Sequence, residues 1–412
     1  MVNQTVTLQG HIIDSLILAK VLDTILMVGG TFTLTEFTVG TKREDLSHAT
    51  IRIEASTPGL LQEILTAIQP HGAVVEVEQD CTVMPAPADG ILPEEFYATS
   101  HLATQIRWEG NWIDVPQPEM DLAIRVKTSP LSANMVPMAS VIKGDLVVTG
   151  RKGIRVFPLE RPAERDVFGF MEALVSSERP YRHVIADVAK RMQAIKERRT
   201  HNPIAPKVLL AGGPAIVHAG GREALAWIIQ EGYIHVLFCG NALAAHDMEA
   251  NLYGTSLGYN LGAGRSVPHG HEHHLRTINR IRAIGSIHKA VEQGIITEGI
   301  MAACVDQQVH MVLAGTIRDD GPLPDVITDS TKAQEAMRAA IPGVELALLV
   351  ASTLHAVATG NLLPASAPTV CVDINPAVPT KLSDRGSFQA VGLVMDSSSF
   401  LGELARELGW KG

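Results

Sequence analysis

Four stretches of this chain, "KVLLA" (207–211), "YIHVLFCG" (233–240), "VHMVLAG" (309–315) and "PTVCVDIN" (368–375), are almost wholly apolar, and each runs straight into glycine or a small polar residue. A strand with one wet face alternates apolar and polar residues; a strand with no polar face must be covered on both sides. Helix-length segments separate them, among them "GREALAWIIQEG" (221–232) and "NALAAHDMEANLYG" (241–254). The pattern implies an α/β domain with a parallel sheet between two layers of helices. Ligands of such sheets gather beyond the carboxyl ends of the strands. There the sequence places Gly212-Gly213-Pro214, Gly240-Asn241-Ala242, the loop "GTIRDDGPLPD" (315–325) and Asp373-Ile374-Asn375. Glycines and small polar groups along one edge suit a dinucleotide, whose pyrophosphate rests on backbone amides at helix starts. The GxGxxG fingerprint is absent, and tight turns in an ordinary α/β domain give the same pattern.

The sheet-forming part occupies residues 166–412. Ahead of it, residues 1–84 read as strand, helix, strand, strand, helix, strand. "VTLQGHII" opens the unit, and "DSLILAKVLDTILMVGG" follows with Asp14 as its N-cap and Gly29-Gly30 as its stop. "TFTLTEFTV" and "ATIRIEAS" alternate as strands do, Pro58 opens the second helix, and "AVVEVEQD" closes the set. This βαββαβ order is that of ferredoxin-like domains. Residues 85–165 begin with a Pro/Ala linker and continue in short strand-like pieces with glycines at the turns, a small β module.

Several function classes are disfavoured. The formal charge of −10 argues against a nucleic-acid or anionic-membrane partner. The longest apolar run, "ELALLVAS" (345–352), is too short to span a bilayer, and the start lacks a signal-peptide layout. Cys81, Cys239, Cys304 and Cys371 form no CxxC pair, so buried thiols in a reducing, cytoplasmic setting are expected.

Two clusters carry chemistry. "PHGHEHHLRTIN" (268–279) holds four histidines. A metal wants three or four converging ligands. Pro268 and Gly270 delay the helix until about Glu272, so His269 and His273 are not presented together, and no metal is assigned. The second cluster puts Arg318, Asp319, Asp320 and Asp325 within eight residues on the loop after an apolar strand. Asp247 and Glu249 read as solvated helix positions rather than ribose ligands, and Cys239 and Cys304 as small buried residues.

"FGFMEALVSSERP" (168–180), "AGGPAIVHAGGREALAWIIQEGYIHVLFCGNALAAHD" (211–247), "LYGTSLG" (252–258), "AGTIRDDGPLPDVITD" (314–329) and "VCVDINPAVPTKLSDRGS" (370–387) closely resemble one family over nearly the whole chain. It carries the LOR/SDH conserved region and includes the archaeal alternative ornithine cyclodeaminases and the C-terminal part of cyanobacterial arginine dihydrolase/ornithine cyclodeaminases. The arginine dihydrolase domain of the latter has no counterpart here, so no arginine cleavage is implied. The resemblance extends to the histidine pair before "LR". It favours His273 and His274 as proton carriers, since imidazole titrates near neutrality, or as braces of a helix start or subunit contact, and leaves His269 and His271 as surface positions. The last 200 residues more distantly resemble deoxyhypusine synthase, an NAD enzyme.

The resemblance implies a Rossmann-like sheet, NAD as cofactor and a homo-oligomer. It further implies cofactor contacts at Gly213, Pro214, Gly240, Asn241, Ala242, Asp373, Asn375, Asp396 and Ser397. His310, Asp320 and Asp325 match that synthase's substrate loop. Its imine-forming lysine has no counterpart in "LVASTLHAVATGN" (349–361), where His355 lies nearby instead. The implied reaction converts L-ornithine to L-proline and ammonia: hydride leaves Cα, the δ-amine attacks the imine, ammonia departs and the hydride returns. Arg318 suits the substrate carboxylate because its planar fork allows bidentate contact; Asp320 and Asp325 suit amine binding or proton transfer. A lysine cyclodeaminase, an amino-acid dehydrogenase and a nucleotide-sensing regulator stay open as alternatives.

Overall fold

A computed structural model describes the chain except for residues 1, 11, 14–16, 41–44, 76–78, 158–174, 177–180, 202–205, 261, 263–266, 268–269, 320 and 385–389. It comprises two compact units, Met1–Gly169 with Leu363–Ser366, and Phe170–Leu362 with Ala367–Gly412.

The first unit opens with β1 (Val2–Gly10), α1 (Ile17–Val28), β2 (Thr31–Thr38), β3 (Ser47–Ala55), α2 (Pro58–Ile68) and β4 (Val74–Val75). The sheet order β2-β3-β1-β4 is antiparallel throughout, the ferredoxin-like arrangement. Its apolar face, including Val6, Leu8, Ile51 and Ile53, packs on Val21, Ile25, Ile64 and Ile68 of the two helices. Gly29 ends α1 in the left-handed region (φ 99°) that glycine adopts without strain. Thr57 caps α2, its Oγ1 accepting from Leu60 N at 3.2 Å, and Pro58 stands in the first turn. Asp14, the expected cap of α1, lies outside the described residues.

The β module follows as β5 (Thr82–Pro85), β6 (Ala103–Trp108), β7 (Asn111–Val115), β8 (Ala123–Thr128), β9 (Leu131–Val136), β10 (Leu146–Thr149) and β11 (Ile154–Phe157). They form two small antiparallel sheets, β5-β10-β8-β9 and β11-β6-β7.

The second unit contains β12 (Val175–Ser176), α3 (Tyr181–His201), β13 (Lys207–Gly212), α4 (Ala215–His218), α5 (Arg222–Gln230), β14 (Val236–Cys239), α6 (Asn241–Tyr253), β15 (Thr255–Ser256) and β16 (Tyr259–Asn260). It continues with α7 (His273–Ile284), α8 (Ile287–Glu292), α9 (Ile300–Asp306), β17 (His310–Ala314), β18 (Val326–Ile327), α10 (Ser330–Ala340), β19 (Val344–Val350), α11 (Thr353–Leu362), β20 (Thr369–Asp373), α12 (Ala377–Asp384), β21 (Ala390–Val394) and α13 (Ser397–Glu407). Eight strands pair in the order β12-β21-β20-β19-β13-β14-β17-β18, every pairing parallel. Leu209, Leu210, Leu237, Phe238, Leu348 and Leu349 are fully buried, as strands covered on both faces require. The run "ELALLVAS", weighed from sequence only as a membrane span, supplies β19 next to the central strand. Among the described residues no helix is long and apolar enough to cross a membrane.

Two polar devices hold this unit together. At the amino edge His235 joins three strands: its N–H donates to Val208 O (3.0 Å), its carbonyl accepts from His310 N (3.1 Å), and its Nδ1 accepts from Val208 N (3.0 Å). The ring must be neutral at Nδ1 to accept. Burial, followed by the charges of Arg199 and Lys207, pushes its pKa down to about 4. On α6, Asp247 is fully buried and takes three donors: Arg222 Nε at 2.8 Å, Ile300 N at 2.9 Å and Met301 N at 2.8 Å. It thereby caps α9 from inside the domain and pairs the Arg222 guanidinium, which also reaches Glu298 O at 3.1 Å.

Removing one partner of a buried pair strands the other. Asp247→Ala is therefore expected to lower stability by about 3–5 kcal/mol, read from urea unfolding. For His235 the folded pKa of about 4 lies below the unfolded value of 6.5. Its contribution is thus complete above about pH 6.5 and is lost as pH falls toward 4. The urea midpoint should drop between pH 7.5 and pH 5 by less in His235→Asn, whose Oδ1 still accepts the Val208 bond; equal drops would refute this role.

Candidate active site

All strands of the large sheet being parallel, their carboxyl ends share one edge. The chain builds β13, β14 and β17 in one direction, then returns to add β19, β20 and β21 on the other side of β13. The gap between β13 and β19 is the switch point where α/β sheets bind ligands. Gly213 stands in it, its N–H donating to Val350 O at 2.9 Å. A Cβ here would overlap the carbonyl oxygen of Ala351, so only glycine fits. One strand over, Gly240 is the N-cap of α6 in extended conformation, and no side chain caps this 13-residue helix. The amides of its first turn, from Asn241 and Ala242 onward, meet the edge at the positive end of the helix dipole. A Cβ on Gly240 would press to 3.1 Å on the His355 ring, which reaches across from α11.

The side chain of Asn241 is buried and committed to the protein. Its Nδ2 donates to Gly321 O (3.3 Å) and its Oδ1 accepts from Leu323 N (3.0 Å), tying the start of α6 to the loop after β17. In that loop Asp319 braces the turn, accepting from Thr316 N at 2.8 Å and Thr316 Oγ1 at 3.2 Å. Asp325 Oδ2 accepts from Ile287 N at the start of α8 (2.9 Å). Arg318 is exposed: its backbone N–H donates to Thr316 Oγ1 at 3.3 Å, and its guanidinium makes no hydrogen bond or ion pair among the described residues. Asp320 lies outside the described residues.

On the far side of the switch point, Asp373 Oδ1 accepts from Asn375 N (2.8 Å), and Asn375 Oδ1 from Ala377 N (3.0 Å) at the start of α12. Asp396 caps α13, accepting from Ser398 N at 2.9 Å and Ser399 N at 3.0 Å. Burial alone would raise its pKa, but these hydrogen bonds outweigh it and hold the carboxyl below its ordinary range. Ser397 is buried beside it. The polar side chains along this edge therefore shape the chain, and backbone amides and glycines are what it offers an anion.

A cavity of about 260 Å³ opens beside this edge, lined by Ala314, Gly315, Thr316, Met337, Leu354 and His355 among others. Burial lowers the His355 pKa, against the pull of the Ala314 carbonyl and Asp319.

The two histidines that open α7 belong to a separate network. His273 Nδ1 lies 2.8 Å from Thr255 Oγ1, and its ring stacks on Tyr253 with centroids 4.5 Å apart. The His274 ring is 6.0 Å from that of His246. His246 Nδ1 is 2.8 Å from Glu249 Oε2, and the His218 ring lies 4.7 Å from His246 at 70°. His218, burdened by burial and then by His246, has its pKa pushed down to about 4. His218 and His246 were not singled out from sequence; the available signal was His246 three residues before Glu249 in a helix otherwise rich in Ala and Leu.

Two expectations are corrected. His310 begins β17 at the amino edge, exposed, about 13 Å from the strand's far end at roughly 3.3 Å per residue, and does not reach the carboxyl edge. Asp247 and Glu249 are not solvated: both are 0% exposed, because α6 is buried nearly all round. Gly213, Pro214, Gly240, Asn241, Ala242, Asp373, Asn375, Asp396 and Ser397 stand at or just beyond the carboxyl ends of β13, β14, β20 and β21. His271 is exposed, while His269 lies outside the described residues. Among the described residues no three His, Cys, Asp or Glu side chains converge as a metal would need. The thiols of Cys239 and Cys304 are buried and pushed up, that of Cys239 to about 12.

Comparison with known proteins agrees with this architecture. A family model described as arginine dihydrolase ArgZ-like, C-terminal, Rossmann fold, matches residues 186–404. Its companion first region matches 103–185, and the LOR/SDH bifunctional enzyme conserved region matches 3–102. An ornithine cyclodeaminase of Methanopyrus kandleri is 48% identical over 98% of this chain and 97% of its own length. A crystal structure of a LOR/SDH protein from Methanococcus maripaludis is 44% identical with a TM-score of 0.76, covering 80% of this chain and 98% of that one. The ternary complex of AgrE with ornithine and NAD+ is 39% identical with a TM-score of 0.53, covering 99% of this chain and 57% of that one. A deoxyhypusine synthase of Entamoeba histolytica, at 9% identity and a TM-score of 0.33, bears no weight. The chain belongs to the family that joins the LOR/SDH conserved region to the ArgZ-like C-terminal Rossmann domain, in company with archaeal ornithine cyclodeaminases.

Proposed function

We propose that this protein is an NAD-dependent ornithine cyclodeaminase, converting L-ornithine to L-proline and ammonia. One observation carries the reading: an uncapped, glycine-started helix presents its first-turn amides at the carboxyl edge of a doubly wound sheet, one strand from its switch point. A solved relative with the same sequence pattern is a complex with ornithine and NAD+. The donor set fits a dinucleotide. The amides at Asn241 and Ala242 would hold the diphosphate, with the Gly213-Pro214 turn and the edges at Asp373, Asn375, Asp396 and Ser397 flanking it. When bound, NAD supplies a hydride acceptor for the substrate Cα and gives the hydride back after ring closure, so that no net oxidation occurs.

The chain's own residues bind the amino acid and move protons. Arg318, exposed on its loop, offers a planar fork to the substrate carboxylate. Asp320, and the oxygen of Asp325 that does not receive Ile287 N, hold the distal ammonium. The α-ammonium must lose a proton before hydride can leave, and the δ-ammonium before it can attack. Each step needs an acceptor with a pKa near the working pH. His273 and His274 are the candidates, together with His355, whose lowered pKa keeps its ring neutral and able to accept at pH 7.

Pure protein given L-ornithine and NAD should release proline and ammonia in equal amounts without NADH absorbance building up. Steady NADH formation would mean a dehydrogenase, and NAD binding without product a sensor; either sinks the proposal. Asp320→Asn should keep NAD affinity within about twofold and lose about 10²–10⁴-fold in turnover, the range of a positioned proton-transfer group. Arg318→Ala should raise KM for ornithine by about 10- to 100-fold, as a lost charged hydrogen bond does, with NAD affinity unchanged.

A further inference from the structure

We infer that Glu249 is a positioning residue for the reaction: it fixes the tautomers of two imidazoles so that both present Nε2 as a proton acceptor. The inference rests on the reading that His273 takes part in turnover, and it begins from a count of hydrogens.

Glu249 is fully buried, and its carboxylate can only accept. Oε2 is 2.8 Å from His246 Nδ1, so His246 carries its proton on Nδ1. Oε1 is 2.8 Å from Thr255 Oγ1, and Thr255 donates its single hydroxyl hydrogen there. Gly258 N adds a longer donation to Oε1 at 3.5 Å. With its hydrogen used, Thr255 Oγ1 can only accept from His273 Nδ1, 2.8 Å away on the other side. His273 therefore also carries its proton on Nδ1. One carboxylate, acting directly on His246 and through Thr255 on His273, leaves Nε2 as the unprotonated nitrogen of both rings. Neither Nε2 makes a hydrogen bond among the described residues. The orienting hydrogen bond on one ring nitrogen is what decides the reactivity of the other.

Other titratable side chains surround this pair. The titratable groups facing it are His218 from α4 and His274 from α7, both beside His246, and Tyr253 from α6, stacked on His273. His218 is itself anchored, its Nδ1 2.6 Å from Ser256 Oγ. Arg276 lies one turn beyond on α7, engaged with Glu272 at 2.6 Å. Glu249 is thus the one carboxylate in direct contact with either ring among the described residues.

The test reads tautomers and turnover separately. In protein labelled with ¹⁵N-histidine, long-range ¹H–¹⁵N spectra at pH 8 should show His246 and His273 as Nδ1–H forms, whereas a free imidazole prefers Nε2–H. Thr255→Val should return His273 alone to Nε2–H, and Thr255→Ser should restore it. Glu249→Gln should release both rings. It should also move the acidic limb of kcat/KM against pH to lower pH by about one unit, because removing a nearby negative charge makes imidazolium more acidic, with KM for ornithine within threefold. Nε2–H forms in the native protein, or Nδ1–H forms that persist in Glu249→Gln, would overturn the inference. Should Glu249→Gln fail to fold, the Thr255 pair decides it alone: His273 unchanged in Thr255→Val overturns it. A lock that behaves as stated while the pH profile stays fixed would overturn the positioning role and leave the cyclodeaminase reading intact. A protein that makes no proline fails that reading, and the spectra still decide the lock.

Discussion

The site depends on one geometric constraint, the parting of a parallel sheet between β13 and β19. Parallel neighbours need long crossover connections, and helices fill them. Where the order reverses, no crossover covers the strand ends and a crevice remains. The closeness of β13 and β19 across it sets the sequence on both sides. Gly213 cannot carry a side chain because Ala351 occupies that space, and Ala351 itself turns through a left-handed conformation at φ 52°. The helix started by Gly240 then meets the crevice end-on, and His355 from the opposite half closes over it. The proposed binding of an anion by backbone, rather than by a basic side chain, would follow from this arrangement and suits a chain with an acidic balance.

A helix as deeply buried as α6 has little apolar pattern to orient it, since nearly every face is inside. Two acids two residues apart do that work in opposite directions. Asp247 turns toward Arg222 and the start of α9, while Glu249 turns toward Thr255, Gly258 and His246. Each would be costly if unpaired, and each is saturated with donors. Rotating the helix would break both sets at once, so the pair specifies a single orientation. That orientation carries the first-turn amides to the crevice.

Much of this was legible in the sequence, for identifiable reasons. Strands buried on both faces announce themselves as apolar runs, and the βαββαβ order of the first unit follows from alternation and punctuation by Gly29 and Pro58. Strand order does not appear in spacing, so β19, the other wall of the crevice, passed as a mere apolar run. The misplacement of His310 has the same origin: its nearness in sequence to Gly315 hides one full strand length between them. Burial of Asp247 and Glu249 was invisible because a charged residue on a helix reads as solvated unless its partners, here 25 and 6 residues away at Arg222 and Thr255, are known. At the carboxyl edge, Asp373, Asn375 and Asp396 stand where expected, yet their side chains cap turns and helices. Residue type and position are shared by ligand contacts and N-caps, and only the hydrogen bonds separate the two.

The two hydrogen bonds that join the Asn241 side chain to Gly321 and Leu323 have a thermodynamic consequence. A single amide fastens the helix end proposed to meet the dinucleotide to the loop that carries Arg318, the proposed carboxylate ligand. If an amino acid bound at the loop stabilises the same arrangement of the helix end that the dinucleotide favours, linkage obliges each ligand to strengthen the other's binding by the same factor. In the proposed cycle, which borrows a hydride and returns it, such mutual retention would keep the cofactor in place while the substrate is between its two forms.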